Sequence, residues 1–230
     1  MEQSIYEKKI HLKMKAPEYE ARLRHNILKI PEEARECSGI KIFGKKLKTL
    51  VFSTDIAIIR NCDADAVFAV YPFTPQSAIS EAIIKSAFMP VFCGIGGGTT
   101  QGLRTVGLAK DVEAQGAVGV VLNAPVSDLN VRAVARAVDV PVVITVVNEE
   151  TDIKSRLRHG AAILNVAAAL RTPELVSKIR KEFPDVPIIA TGGPTAETIK
   201  RTVEAGANAI TYTPPTAQEL FSSLMKKYRD

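Results

Sequence analysis

"FPDVPIIATGGPTAETIKRTVEAGANAITYTPPT" (residues 183–216) contains two short runs rich in β-branched residues, VPIIATGG and NAITYTPP, separated by a segment whose apolar residues recur at helical spacing. Short apolar runs bounded by turn residues read as strands, and the segment between them reads as a helix. Gly192 and Gly193 close the first run just where that helix must begin. Adjacent glycines favour neither strand nor helix, so the position needs their backbone freedom or their missing side chains. An anion is one candidate cause, because bare N–H groups beside a helix N-terminus receive phosphate.

The same unit recurs from Thr49 onward. The runs are TLVFSTD (49–55), AVFAVYPF (66–73), PVFCGIG (90–96), VGVVLNAP (118–125), PVVITVV (141–147), AAILNVA (161–167), VPIIATGG (186–193) and NAITYTPP (208–215). They are nearly continuous in apolar residues, the pattern of parallel strands buried on both faces, so helices must cover the outside. ISEAIIKSAF, VRAVARAV, ELVSKIRKEF and AQELFSSLMKKY carry the single apolar stripe this requires, and Ser77, Asp128 and Thr172 read as N-caps. The expectation is an α/β fold, a single (β/α)8 TIM barrel over residues 49–230, with a doubly wound open sheet as the alternative. An internal echo favours the barrel: HGAAILNVAAALRTPELVSKIRK (159–181) and AGANAITYTPPTAQELFSSLMKK (205–227) repeat glycine, strand, loop and helix, with Gly160 and Gly206 46 residues apart.

Residues 1–48 precede the barrel. PEYEARLRHNILKIPEE reads as an amphipathic helix stopped by Pro31, and IKIFGKKLKTL reads as a hairpin turning at Gly44. Together they are expected to cover the barrel's N-terminal mouth. This arm holds 12 Lys and Arg against 7 acidic residues, while the remainder is balanced at 18 of each. No aromatic-interleaved basic motif or helix-turn-helix pattern accompanies the charge, so a solvated face is expected and no nucleic-acid partner. At 230 residues and 46% apolar, the chain supports one substantial core. No apolar stretch nears the ~20 residues of a membrane span, and MEQSIYEKKIHLKMK lacks an apolar signal core, so a soluble cytoplasmic protein without a membrane partner is expected. Cys37, Cys62 and Cys93 are odd in number and lack CxxC spacing, and they read as free thiols.

In a (β/α)8 barrel the active face is built from strand C-termini and the loops after them. Asp55 and Glu149 end the first and fifth runs, opposite one another in an eight-stranded ring, and form the candidate acid and base. Each also suits a local task, Asp55 as an N-cap and Glu149 as an acid at a helix start. Cys93 is a candidate nucleophile or base, set against its reading as a small buried hydrophobe. Asn123, Asn148 and Asn165 offer amides to substrate oxygens, while Tyr71 and Tyr212 either meet substrate or complete the core rim. In GIGGGTT (94–100), Gly96, Gly97 and Gly98 either wrap an anion with main-chain donors or make a tight turn. The spacing is neither a Walker loop nor a dinucleotide fingerprint.

PIIATGG and AGANAI resemble the phosphate-binding TIM-barrel superfamily, in which a glycine pair after the seventh strand and the loop after the eighth grip a substrate phosphate. The resemblance implies phosphate contacts at Gly192, Gly193 and Thr195; TYTPPT departs from it in lacking the usual glycine stop. The whole sequence also resembles a bacterial barrel family commonly labelled hydrolase, a label that implies no particular catalytic residue. The fold resembles keto-deoxy-phosphogluconate aldolase, yet Asn165 stands near the place of a Schiff-base lysine and no lysine ends any run. His11 and His25 precede the barrel, His159 falls near its opposite face, and no metal-ligand cluster is visible. No cofactor is therefore required, and a Mg²⁺ arriving on a substrate phosphate would find Asp55 or Glu149. No GxSxG elbow is present.

The resulting expectation is an enzyme that transfers a proton on a small phosphorylated metabolite, as a lyase, isomerase or epimerase. A phosphohydrolase and a non-catalytic metabolite-binding barrel are the alternatives. Fold analogy adds a homo-oligomer, joined through the arm or a helix face.

Overall fold

The computed structural model describes residues 27–229 together with Pro17, Tyr19 and Leu23. The chain enters through α1 (Glu32–Arg35) and an antiparallel hairpin, β1 (Ile40–Ile42) and β2 (Lys45–Leu47), which turns through Phe43 and Gly44 at φ 46° and 78°. Eight strands follow: β3 (Thr49–Phe52), β4 (Ala66–Ala69), β5 (Val91–Gly96), β6 (Gly119–Leu122), β7 (Val142–Val146), β8 (Ile163–Val166), β9 (Ile188–Thr191) and β10 (Ala209–Tyr212). Every neighbouring pair is parallel, and β10 pairs with both β9 and β3, so the sheet is a closed barrel. Helices α2 (Ile56–Arg60), α3 (Ser77–Ser86), α4 (Leu103–Ala114), α5 (Asp128–Ala135), α6 (Ile153–Arg158), α7 (Thr172–Glu182), α8 (Ala196–Glu204) and α9 (Ala217–Arg229) alternate with the strands. This is the (β/α)8 barrel rather than the open sheet, and Gly160 and Gly206, at φ 101° and 104°, make equivalent helix-to-strand turns before β8 and β10.

Side chains along each strand alternate between the lumen and the helices. Leu50, Phe68, Phe92, Val121, Val143, Ile163 and Ile189 form one cluster inside the ring, whereas their neighbours Val51, Val67, Val91, Val120, Ile144, Leu164 and Ile188 join the layer beneath the helices. Gly119 leaves space for an aromatic ring in the lumen, since a Cβ there would lie 2.6 Å from Phe92. Burial of a ring such as Phe92 stabilises by about 1.5–3 kcal/mol. The hairpin side chains Ile40 and Leu47 complete this inner cluster from the N-terminal end.

The helix reading of 17–33 falls in part outside the described residues, which here are 17, 19, 23 and 27–33. Its last part is extended: Leu28 bridges to Cys62, Ile30 N–H donates to Asp63 at 2.7 Å, and the helix begins only after Pro31. Proline lacks the N–H an interior helical residue needs, and here it precedes the first turn. With Ile30, Ala34 and Cys37 buried in the outer layer and α1 packed against α8, segment 28–37 runs along the wall between α8 and α2. Helix α9 lies correspondingly exposed, with Phe221 65% and Tyr228 82% accessible. Three caps shift by one position. Ser127 caps α5 by accepting from Asn130 N–H at 3.2 Å, so that Asp128 is the first helical residue. Gln76 precedes α3. Thr172 accepts from Ala168 N–H at 3.0 Å instead of capping α7. No described helix is long and apolar enough to cross a membrane.

Candidate active site

Beyond the apolar lumen residues, the alternation turns Asn123, Thr145, Asn165, Thr191 and Thr211 inward at the C-terminal mouth, each two positions after a member of the inner cluster. Thr145 and Asn165 are register partners, as are Thr191 and Thr211. Asn165 Nδ2 donates to Thr145 Oγ1 at 3.1 Å, and Thr145 Oγ1 donates to Asn123 Oδ1 at 3.2 Å. Asn165 is only 6% exposed, and its Oδ1 is buried with no hydrogen-bond partner among the described residues. The sequence reading of Asn123 and Asn165 therefore meets a connected polar layer. It missed Thr145, Thr191 and Thr211, whose signal was the period of two within runs that look uniformly apolar.

Two depressions open at this mouth. The smaller, about 100 Å³, is lined by Val70, Tyr71, Thr74, Gly94, Gly96, Gly97, Thr100 and Asn123. The larger, about 860 Å³, joins the lumen hydroxyls of Thr191 and Thr211 to Gly192, Gly193, Thr198, Arg201, Tyr212 and Glu219. Tyr71 Oη accepts the Gln76 N–H at 2.8 Å, which pins the ring at the edge of the smaller depression. Tyr212 stands two residues after the outward Ile210 and packs on the outer layer while reaching the larger one; burial, with Cys62 nearby, raises its phenol pKa.

The glycines are explained mainly by internal packing. A Cβ on Gly192 would come within 2.7 Å of Ile210 and 2.8 Å of Ile199, and its N–H already donates to Thr211 O at 3.3 Å. Gly193 has φ 83°, and a Cβ there would lie 2.6 Å from Thr198 Oγ1. Thr195 caps α8, accepting from Thr198 N–H at 3.2 Å while Thr198 Oγ1 accepts its own N–H at 3.1 Å. A phosphate at this end therefore meets neither the Gly192 nor the Thr195 amide. The same correction holds for GIGGGTT: Gly97 N–H donates to Thr100 O and Gly98 N–H to Pro125 O, both at 2.8 Å. A Cβ on Gly97 would sit 2.0 Å from Asn123 O. Gly96, Gly97 and Gly98 make the tight turn of the two readings, because Gly97 closes the loop on Thr100 and Gly98 ties it to Pro125 in the loop after β6.

The proposed acid and base are both engaged elsewhere. Asp55 Oδ1 caps α2, accepting from Ala57 and Ile58 N–H at 2.8 and 3.2 Å. Glu149 is exposed and ion-paired to Lys178 at 2.6 Å and Arg171 at 3.0 Å; the Lys178 hydrogen bond and charge, then Arg171, hold its carboxyl below the usual range. Asn148 Oδ1 accepts from Glu150 N–H at 3.2 Å in the same exposed loop, closing an Asx turn. Cys93 belongs to the outer layer, fully buried, and burial raises its thiol to about 12, offset in part by a Ser80 hydrogen bond. A protonated thiol facing the helices is no nucleophile for the lumen. His159 caps the end of α6 with Nδ1 2.8 Å from Ser155 O. His11 and His25 lie outside the described residues. Among the described residues no three His, Cys, Asp or Glu side chains converge as a metal site, and with both candidate carboxylates occupied the lumen does not fit a protein-built Mg²⁺ centre.

No protein-family model matches the chain, and no curated protein matches it in sequence. Solved structures do. A 2,3-dimethylmalate lyase, a PEP mutase/isocitrate lyase superfamily member, is 14% identical with a TM-score of 0.63, covering 78% of this chain and 79% of its own. Phosphonopyruvate hydrolase in complex with oxalate and Mg²⁺ is 14% identical with a TM-score of 0.61, covering 80% and 81%. A phosphoenolpyruvate phosphomutase from Streptomyces platensis subsp. rosaceus is 11% identical with a TM-score of 0.60, covering 79% and 80%. These likenesses support a barrel without singling out the phosphate-binding superfamily, and at such identities what the chain shares with them is the (β/α)8 fold.

Proposed function

We propose that this protein is an enzyme acting on a small phosphorylated metabolite at the C-terminal mouth of its barrel, with lyase, isomerase or epimerase chemistry. The observation that carries this reading is the cavity of about 860 Å³ in which Gly193, Thr198 and Arg201 adjoin the lumen hydroxyls of Thr191 and Thr211. That volume suits a small metabolite. The phosphate lies against the Arg201 guanidinium, whose planar donors match phosphate oxygens, and the carbon skeleton extends toward the lumen. Tyr71 replaces Asp55 and Glu149 as the proton-transfer group, because its Oη accepts the Gln76 amide and keeps its own proton to donate. The barrels of similar fold include a lyase, a hydrolase and a mutase, which supports this range of chemistry.

Titration with inorganic phosphate followed by NMR tests the anchor. Arg201→Gln should weaken phosphate binding about tenfold, the contribution of one charge-assisted hydrogen bond. With a turned-over metabolite in hand, Tyr71→Phe should slow turnover by a factor on the order of 10². Phosphate binding unaffected by Arg201→Gln overturns the anchor. A non-catalytic metabolite-binding barrel is the second reading, favoured by the engagement of Asp55 and Glu149 in local bonds. Ligand-induced stabilisation without turnover across a metabolite screen would select it.

A further inference from the structure

We infer that the smaller depression is a subsite for a carboxylate or carbonyl oxygen, read by Asn123 Nδ2 and Tyr71 Oη, and that Thr145 and Asn165 are the positioning residues that set its polarity. The inference rests on the proposed function only for the second anchor, the phosphate in the larger cavity. A threonine hydroxyl has one proton. Because Thr145 Oγ1 accepts from Asn165 Nδ2, that proton goes to Asn123 Oδ1. The Asn123 amide is thereby fixed with its oxygen occupied and its NH2 left for the depression it lines. Tyr71 is arranged alike: its oxygen receives the Gln76 N–H and its proton is the group left to donate. The walls add no opposing carboxylate. Asn123 itself cannot drift, since its N–H donates to Gly96 O at 2.9 Å and the Gly97 backbone packs directly on its carbonyl.

Asn165 heads this hydrogen-bond relay. Its Oδ1 is buried with no partner among the described residues, a cost that an apolar side chain of the same shape would avoid. The amide is retained in this reading because only a donor at that place turns Thr145 toward Asn123. The ligand class is a small acid carrying a phosphate at one end and a carboxylate or carbonyl at the other.

Three probes separate the parts: 2-phosphoglycolate carries both groups, ethyl phosphate lacks the carboxylate, and glycolate lacks the phosphate. NMR-monitored titrations of the wild-type chain should show 2-phosphoglycolate binding about tenfold more tightly than ethyl phosphate. Asn123→Leu should abolish that preference. Thr145→Val and Asn165→Leu should also abolish it while leaving ethyl phosphate affinity unchanged, which a merely structural role would not do. Equal binding of 2-phosphoglycolate and ethyl phosphate overturns the subsite and leaves the phosphate anchor standing. Glycolate binding that depends on Asn123, with no binding of ethyl phosphate, upholds the subsite and removes the anchor. Failure of all three probes to bind overturns both.

Discussion

The two mouths of the barrel handle polar groups in opposite ways. At the N-terminal end, Asp65 Oδ2 accepts from Lys48 N–H at 2.8 Å and from Thr49 N–H and Oγ1 at 3.0 and 3.1 Å. There too, Arg180 donates to Gly206 O, Val186 O and Asn208 Oδ1, and Ile40 with Leu47 seals the lumen behind them. At the C-terminal end the amides and hydroxyls form a short chain that leaves Asn165 Oδ1 unpaired and runs to Asn123, which lines a depression. Buried polar groups are ordinarily satisfied. Among the described residues three side-chain atoms depart from this, Gln115 Oε1 in the turn between α4 and β6, Asn130 Nδ2 in α5 and Asn165 Oδ1, and of these only Asn165 lies inside the ring at the end where a (β/α)8 barrel carries function.

Substitutions at each end test that contrast. Phe92→Ala, in the apolar lumen, should cost about 3–5 kcal/mol by leaving a cavity beside Gly119, measurable as a lower urea midpoint. Asp65→Ala should cost about 2–3 kcal/mol, since three donors lose a charged acceptor. Asn165→Leu at the other mouth should change stability by no more than about 1 kcal/mol, removing one hydrogen bond together with an unpaired buried oxygen. A loss as large as that of Phe92→Ala would erase the distinction between the ends. Smallest is Glu149→Gln, which should leave stability between pH 5 and 9 unchanged within error. The folded carboxyl lies below its ordinary value of 4.5, so its ion pairs with Lys178 and Arg171 act fully above that value and are lost only as pH falls through the lowered one. As an exposed pair, it contributes little even there. A wild-type acid midpoint that is unmoved by Glu149→Gln would confirm that rank.

How much of this was legible beforehand differs by residue. All eight barrel strands fall within the apolar runs, because burial on both faces leaves a continuous local signature. Asn123 and Asn165 were legible as strand-end amides. Cys93, one residue from the lumen-facing Phe92 and Gly94, was misplaced because an uninterrupted apolar run conceals which parity faces inward. Asp55 and Glu149 were legible as charged groups at the correct end; the capping role of Asp55 was in view, whereas Glu149 lies ahead of the Asp152 cap of α6 and does not start that helix. What the chain order withheld was Glu149's partners, Arg171 and Lys178, 22 and 29 residues away. The glycine pair shows the same limit. Its position marked a junction, but Ile199 and Ile210, which exclude a side chain at Gly192, come from a following helix and strand.

From composition and periodicity alone came the alternating units, the closed parallel sheet they predict and the end at which polar residues gather, since each is a repeated local preference for burial. Folding decided which of those polar groups remain available. Gly97 bonds its own loop and Gly98 the Pro125 carbonyl of the loop after β6, Asp55 caps its own helix, and Thr145, held by Asn165, occupies the amide oxygen of Asn123. A donor or acceptor is free only when no partner reaches it in three dimensions, and that is a property of the assembled barrel rather than of any segment.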